Sequence, residues 1–319
     1  MQVLGGYRLS KVLVTGGAGF IGSNLVDQLV EDGDQIVVVD DLSMGLKENL
    51  PDSPQVTFYQ HSITDHGFMR QLLIDARFDY IYLLAAVASV ADSVARPYQT
   101  HQINQEANIY ILEVLRKQQL PVKKVLFASS AAVYGNNPEL PKREDSTIDP
   151  LTPYAIDKFA TERFVIDYGR LYNLPTVAVR FFNVYGPKQN PKSPYSGVLS
   201  LITQAARHHS SFTIFGDGSQ TRDFVYIQDV IQALRLLTKN NPVIHQVFNV
   251  GTGKHISLNH VIKVYEQLID YQFKLISKPE RTGDIKHSYA NISRLLSLGY
   301  KPRYTIESGL KLYWESIKE

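Results

Sequence analysis

The chain has no cysteine among its 319 residues, which excludes disulfides, thiol catalysis and cysteine metal sites and permits a reducing compartment. It also lacks a charge imbalance: 33 basic side chains nearly cancel 31 acidic ones, and no long basic run stands out. That argues against a nucleic-acid partner, whose phosphates call for a concentrated basic surface. No apolar stretch reaches bilayer length. The longest, residues 80–91, suits a buried strand running into a loop, and the opening segment MQVLGGYRLSK lacks the apolar core of a signal peptide. These absences lead to the expectation of a soluble, cytoplasmic protein with no membrane partner. Internal repeats and low-complexity tracts are missing as well.

What is present is concentrated first in KVLVTGGAGFIG, residues 11–22. Val12, Leu13 and Val14 make a short apolar run suited to a buried parallel strand. Glycines follow at 16, 17, 19 and 22, and Ile21, Leu25 and Leu29 then recur at helical spacing. Strand, glycine turn and helix make a dinucleotide-binding unit. The glycines allow a tight turn, close approach of a pyrophosphate and close packing of helix on strand, and N–H groups at the helix start face the phosphates. A second apolar strand, residues 35–39, ends at Asp40, 18 residues beyond Gly22. A carboxylate there holds a ribose 2′-hydroxyl and repels a 2′-phosphate, so the pattern favours NAD over NADP.

Residues 41–54 are rich in turn formers and predict a loop over the adenosine end of the cofactor. Further strands are expected at 55–59, 79–85, 122–128 and 176–182, and helices at 65–75, 97–118 and 153–172. Pro97 suits the first position of its helix, which carries two apolar faces, one with Ile103, Ala107, Ile111 and Val114, the other with Ile109, Leu112 and Leu115. One face packs on the sheet; the other meets either a second layer of the same chain or a partner subunit. In helix 153–172, Phe164, Tyr168 and Leu171 stand at core spacing. Alternating strands and helices argue for a doubly wound parallel sheet. Beyond Asn183 turn-rich pieces interrupt shorter elements, as expected of a smaller second lobe built from several excursions and closing over the carboxyl edge of the sheet, where ligands of such sheets bind.

Tyr154 and Lys158 are four residues apart at the start of a helix and share one face. A tyrosine is a poor base at neutral pH, but a nearby ammonium, and the positive charge of an oxidised nicotinamide, favour the phenolate. Bringing it near neutrality takes about 4 kcal/mol of differential stabilisation, within reach of two partly desolvated cations. Ser130, at the end of the fifth strand, projects toward the same sheet edge, so the three residues make a candidate base and its orienting partners.

The motifs TGGAGFIG (15–22), DDLSMG (40–45), LLAA (83–86), SSAAVYG (129–135), YAIDK (154–158), RFFNVYGP (180–187), GDGSQTRDFVY (216–226), FNVGTG (248–253) and RTGD (281–284) follow one another in a fixed order. With them the chain resembles the extended short-chain dehydrogenases/reductases, and within these the nucleotide-sugar epimerase group, over nearly its whole length. The resemblance implies an α/β fold: a doubly wound parallel Rossmann-type sheet with a smaller, discontinuous C-terminal substrate lobe. Residues 1–185 with about 224–250 would form the NAD-binding domain, and 186–223 with 251–319 the nucleotide-sugar-binding lobe.

By the same resemblance NAD is held by Gly16, Gly19, Phe20, Ile21 and Gly22, by Asp40, Asp41, Ser43 and Gly45, by Ser62 and Ile63, and by Leu84, Ala85 and Ala86, with Tyr154 and Lys158 at its nicotinamide end. Tyr154 takes the proton of the sugar C4 hydroxyl, Ser130 hydrogen-bonds that oxygen, and Lys158 holds the nicotinamide ribose while lowering the tyrosine pKa. NAD accepts the C4 hydride and returns it to the other face of the 4-keto sugar, so it is regenerated in each cycle. Asn183, Arg222, Arg281 and Asp284 are implied to grip the UDP portion, and no metal is implied. Dehydratases and decarboxylases of this group carry acids just after the serine, where this chain has Ala131 and Ala132, and a methyl group transfers no proton. Relatives restricted to glucose and galactose carry a tyrosine where Ser288 stands, so the resemblance favours UDP-N-acetylglucosamine and UDP-N-acetylgalactosamine, with UDP-glucose and UDP-galactose as further substrates. Asn183 replaces the threonine of uronic-acid 4-epimerases. A UDP-glucuronate 4-epimerase, a dehydratase, decarboxylase or reductase of the same fold, and a non-catalytic NAD-binding regulator are the alternatives. A homodimer through the helices near 97–118 and 153–172 is implied too. The chain departs from the family pattern at Ser62, in place of an aspartate, at Leu83, in place of a histidine, and at Ala91 and Asp92, in place of proline and arginine.

Overall fold

A computed structural model describes residues 9–189, 197–239, 242–280 and 285–317. The chain opens with β1 (Lys11–Thr15), α1 (Phe20–Glu31), β2 (Gln35–Asp40), β3 (Val56–Gln60), α2 (His66–Ala76) and β4 (Tyr80–Leu83). Then come α3 (Val90–Ala95), α4 (Pro97–His101), a π-helical turn (Gln102–Glu106), α5 (Ala107–Lys117), β5 (Lys124–Ser130), α6 (Pro153–Tyr172) and β6 (Thr176–Phe181). Shorter pieces follow: β7 (Asn183–Tyr185), α7 (Val198–Arg207), β8 (Phe212–Phe215), β9 (Thr221–Arg222), β10 (Phe224–Tyr226), α8 (Ile227–Thr238) and β11 (Gln246–Val250). The chain ends with β12 (Ile256–Ser257), α9 (Leu258–Ile269), β13 (Leu275–Lys278), β14 (His287–Ser288), α10 (Ser293–Ser297) and α11 (Ile306–Ser316).

Two compact units result, one from 1–133, 150–180 and 234–248 and the other from 134–149, 181–233 and 249–319. Segments 134–149, 181–185, 224–233 and 249–250, expected from sequence in the first domain, cluster with the second unit, where β7 pairs with β10 and Lys142 exchanges backbone bonds with Tyr289 and Asn291. The first unit is built on a seven-stranded sheet of order β11-β6-β5-β4-β1-β2-β3, the doubly wound arrangement, with β3, β2, β1, β4 and β5 paired in parallel. Side chains alternate across it. Leu13, Ile81, Val125 and Phe127 pack with Ile111, Leu112, Leu115, Val165 and Ile166 in one cluster, while Val12 and Val14 are buried on the other face. Both apolar faces of the helix after Pro97 are thus largely covered by the chain's own layers, since Leu112 and Leu115 join the same cluster as Ile111 and Val114.

Helix α6 has the bounds the sequence predicts, with Thr152 capping it through the Ala155 N–H and Pro153 in its first turn. Its inward face differs from the expectation. Phe164 is 40% and Leu171 73% exposed, and Tyr168 is only half-buried. The buried positions are instead Ala155, Asp157, Lys158, Thr161, Glu162, Val165, Ile166 and Gly169. Four of those eight are polar and find internal partners, so apolar periodicity alone points to the wrong side of this helix.

The second unit carries three small sheets, β10-β7, β12-β9-β14 and β13-β8. Among the described residues no helix is long and apolar enough to cross a membrane, and no group of His, Asp or Glu side chains could hold a metal ion.

Candidate active site

β1 ends at Thr15, and the chain turns through Gly16 with φ +70°. A Cβ there would lie 2.7 Å from the backbone of Ala85, and one on Gly22 would lie 2.2 Å from the Gly16 carbonyl oxygen. These positions therefore take glycine alone. The Thr15 hydroxyl accepts the N–H groups of Leu84 (3.2 Å) and Ala85 (3.3 Å), which ties the 84–86 segment to the glycine turn. Helix α1 starts at Phe20 and Ile21 behind Gly19, with no side-chain cap and no acid in its first turn, so its leading N–H groups suit an anion.

Asp40 ends β2 and is buried; its two oxygens accept the N–H groups of Ala18 and Leu42, each at 2.9 Å. Burial pushes its carboxyl pKa up, and the N–H groups of Leu42, Ala18 and Gly19 pull it down. Three donors leave the carboxylate room for a ribose hydroxyl. The loop after it folds on the glycine turn: Asp41 accepts the Ser43 N–H (2.9 Å), and a Cβ on Gly45 would meet the Ala18 carbonyl carbon at 2.8 Å. Ser62 is half-buried and pairs with the Thr64 hydroxyl (2.9 Å), Ile63 lies inside the hydrophobic cluster and Ala86 is half-buried. A Cβ-free cradle, an uncapped helix start and a strand-end carboxylate together fit NAD.

The three residues expected to react lie on two neighbouring elements of the same unit. Ser130 is the last residue of β5, and its hydroxyl accepts the Ala132 N–H at 3.2 Å. Tyr154 is in the first turn of α6, and Lys158 follows one turn later on the same face. The Lys158 ammonium donates to the Ala128 carbonyl (2.8 Å) and lies 5.0 Å from the Phe127 ring centre and 5.9 Å from that of Tyr154. Burial pushes the Lys158 pKa down to about 8, against the opposing pull of Asp157. Burial also pushes the Tyr154 phenol up, with the Ser130 hydroxyl pulling it down. In the protein alone desolvation thus dominates both groups, and the lowering of Tyr154 that the resemblance implies calls for the oxidised nicotinamide as well as Lys158.

Several residues that position this site have no signature in the sequence. The buried Ser93 hydroxyl accepts the Tyr154 N–H (3.1 Å), anchoring the start of α6 to α3. Asn104, fully buried in the π-helical turn, brackets Val87 by accepting its N–H (2.8 Å) and donating to its carbonyl (3.3 Å), while Thr161 donates to the Asn104 carbonyl (3.1 Å). One turn beyond Lys158, Glu162 makes a buried two-bond pair with Arg180 at 2.9 and 2.6 Å. His101 meets the buried Asp157 at 2.8 Å. The one available signal was the set of polar residues at core positions of helices, which apolar spacing passes over.

In the second unit β9 and β14 are parallel neighbours, with Arg222 in register with Ser288. The half-buried Arg222 guanidinium donates to the carbonyls of Thr221 (2.9 Å) and Lys286 (3.3 Å). Asn183, in β7, donates its backbone N–H (3.0 Å) and its side-chain amide (3.2 Å) to the Asp223 carbonyl. Asn183, Arg222 and Ser288 thus share one hydrogen-bonded framework. Arg281 and Asp284 lie outside the described residues.

A sequence model of the NAD dependent epimerase/dehydratase family matches residues 12–251. A UDP-glucose 4-epimerase of Mycolicibacterium smegmatis is 35% identical over 306 residues, covering 94% of this chain and 96% of that protein. Among solved structures, the UDP-glucose 4-epimerase of Thermotoga maritima with UDP-glucose is similar at a TM-score of 0.90 and 37% identity, over 97% of this chain and 98% of that one. The UDP-N-acetylglucosamine 4-epimerase of Methanobrevibacter ruminantium, in complex with UDP-N-acetylmuramic acid, is similar at a TM-score of 0.92 and 35% identity, over 98% and 99% of the two chains.

Proposed function

Because the chain belongs to the NAD dependent epimerase/dehydratase family, we propose that it interconverts the C4 epimers of a UDP-hexose. UDP-N-acetylglucosamine and UDP-N-acetylgalactosamine are the favoured pair, and UDP-glucose and UDP-galactose are further substrates. The observation that carries the reading is the Ser130 hydroxyl beside the Tyr154 phenol, followed by two alanines where a proton-transferring acid would stand.

Bound NAD supplies the hydride acceptor and donor. Tyr154 removes the proton of the C4 hydroxyl, and Ser130 hydrogen-bonds the same oxygen as it becomes a carbonyl. Lys158 holds the nicotinamide ribose and, while protonated, offsets the burial that disfavours a Tyr154 phenolate. When the 4-keto sugar has turned, Tyr154 returns its proton to the C4 oxygen, so the residues end each cycle as they began. Arg222 and Asn183, with Arg281 and Asp284, retain the UDP portion, for which guanidinium forks suit the pyrophosphate. The hexose is held loosely enough to turn.

Support for an acetamido sugar comes from Ser288, a small residue in register with Arg222. Asn183 speaks against a uronic acid, and Ala131 and Ala132 against dehydration or decarboxylation. Retention of Tyr154 and Lys158 speaks against a binding protein without catalysis. The proposal includes a homodimer: Tyr98 (69% exposed), Ile156 (51% exposed), Phe164 and Leu171 leave apolar surface on α4 and α6. A cytoplasmic location accords with the absence of cysteine.

Proton NMR of the purified protein with UDP-N-acetylglucosamine, and separately with UDP-glucose, tests this. The expected result is the anomeric signal of the 4-epimer from both, appearing faster from the N-acetylated sugar. Conversion of UDP-glucose alone would remove the Ser288 argument, and conversion of neither would remove the function.

A further inference from the structure

Asp223 is fully buried, yet no substrate or reacting group has been assigned to it. One carboxylate oxygen accepts the Thr252 N–H (2.8 Å) and the Thr252 hydroxyl (2.7 Å). The other accepts the N–H groups of Gly253 (2.9 Å) and Ala290 (3.1 Å). These four donors fill the lone pairs a carboxylate offers, so the side chain has none left for a ligand. The surrounding chain is shaped to it: a Cβ on Gly251 would lie 2.7 Å from the carboxylate, and Gly253 has φ +74°.

Its peptide groups reach the candidate substrate residues. The Asp223 carbonyl accepts both donors of Asn183, and its N–H donates to the Ser288 carbonyl at 3.0 Å. Arg222 is its chain neighbour. Desolvating a carboxylate against neutral donors costs stability that an apolar residue would not, whereas only an acceptor of four bonds can join segments this far apart in sequence.

We propose that Asp223 is the positioning residue of the substrate-binding unit: its carboxylate pins segments 252–253 and 290 to the strand bearing Arg222, fixing the spacing of Arg222, Asn183 and Ser288. The inference rests on the assignment of those three residues to UDP-sugar binding.

The test uses the NAD-loaded enzyme, with UDP-N-acetylglucosamine for kinetics and UDP for calorimetry. Asp223→Asn puts an NH2 group against N–H donors, so whichever way the amide is turned at least one bond is lost. The expected result is a KM and a UDP dissociation constant both raised about tenfold, with kcat unchanged within about threefold and NAD retained. Thr252→Val removes only the hydroxyl bond and leaves the backbone donors; it should move both constants about two- to threefold in the same direction, and it decides the matter if Asp223→Asn fails to fold. Unchanged UDP affinity in the folded variants, or a loss in kcat with KM unchanged, would overturn the inference alone. A wild-type enzyme that binds no UDP would overturn the assignment of the three residues and the inference with it.

Discussion

The two units solve the problem of holding a few side chains still by different means. In the first, the candidate reacting groups stand on a seven-residue strand and a 20-residue helix, held by a large apolar cluster with a few buried polar pairs such as Glu162 and Arg180 set into the helix face. In the second, the candidate recognition groups stand on strands of two or three residues, which are too short to be held by packing alone, so hydrogen bonds to a buried carboxylate do that work. Rigid packing suits a phenol that must meet the same oxygen in both directions of a reaction. A hydrogen-bonded scaffold can admit different sugars by changing a single residue such as Ser288.

If this division holds, changes in the first unit should strike turnover or global stability, and changes in the second should strike substrate choice. The largest effect is expected from Tyr154→Phe, which should reduce kcat by about 10²- to 10⁴-fold while UDP affinity by calorimetry stays the same; weakened UDP binding would break the comparison. Next, Glu162→Ala removes the buried carboxylate that takes two bonds from Arg180 and should cost about 3–5 kcal/mol, read by denaturant unfolding with NAD removed. Lys158 gives a comparable effect that depends on pH. Its folded pKa of about 8 lies below the ordinary 10.5, so below pH 8 both states are protonated and the full burial penalty is paid. Between about pH 8 and 10.5 the unfolded chain holds the extra proton, and stability should rise by about 3 kcal/mol relative to Lys158→Met. A flat difference would show that the ammonium is not desolvated. The smallest effect belongs to the second unit: Ser288→Tyr should shift the preference between UDP-N-acetylglucosamine and UDP-glucose toward glucose by about 1–3 kcal/mol, seen as a ratio of kcat/KM values with stability unchanged.

What was legible in the sequence follows the same division. The glycine turn, Asp40, Ser130 and the Tyr154 and Lys158 pair belong to local patterns whose geometry is set by the next few residues, and the start of helix 153–172 is marked by Thr152 and Pro153. The strand expected at 79–85 ends instead at Leu83, because Leu84 and Ala85 turn their N–H groups to the Thr15 hydroxyl. The inward face of α6 escapes apolar periodicity because Asp157, Lys158, Thr161 and Glu162 occupy it and leave Phe164 and Leu171 outside. Ser93, Asn104 and Asp223 were invisible for another reason. Each acts through bonds to segments 17 to 67 positions away, and no local periodicity records such a partner. The direction of the Tyr154 shift needed burial as well as charge, and burial is a property of the fold.

In the proposed reaction the substrate is oxidised and reduced at C4 on one enzyme without exchange with solvent. Proton NMR of the NAD-loaded enzyme turning over UDP-N-acetylglucosamine in D2O tests it directly. The expected product is a 4-epimer that keeps protium at C4 at every stage of the approach to equilibrium. Deuterium at C4, or a product whose mass differs from that of the substrate, would contradict it.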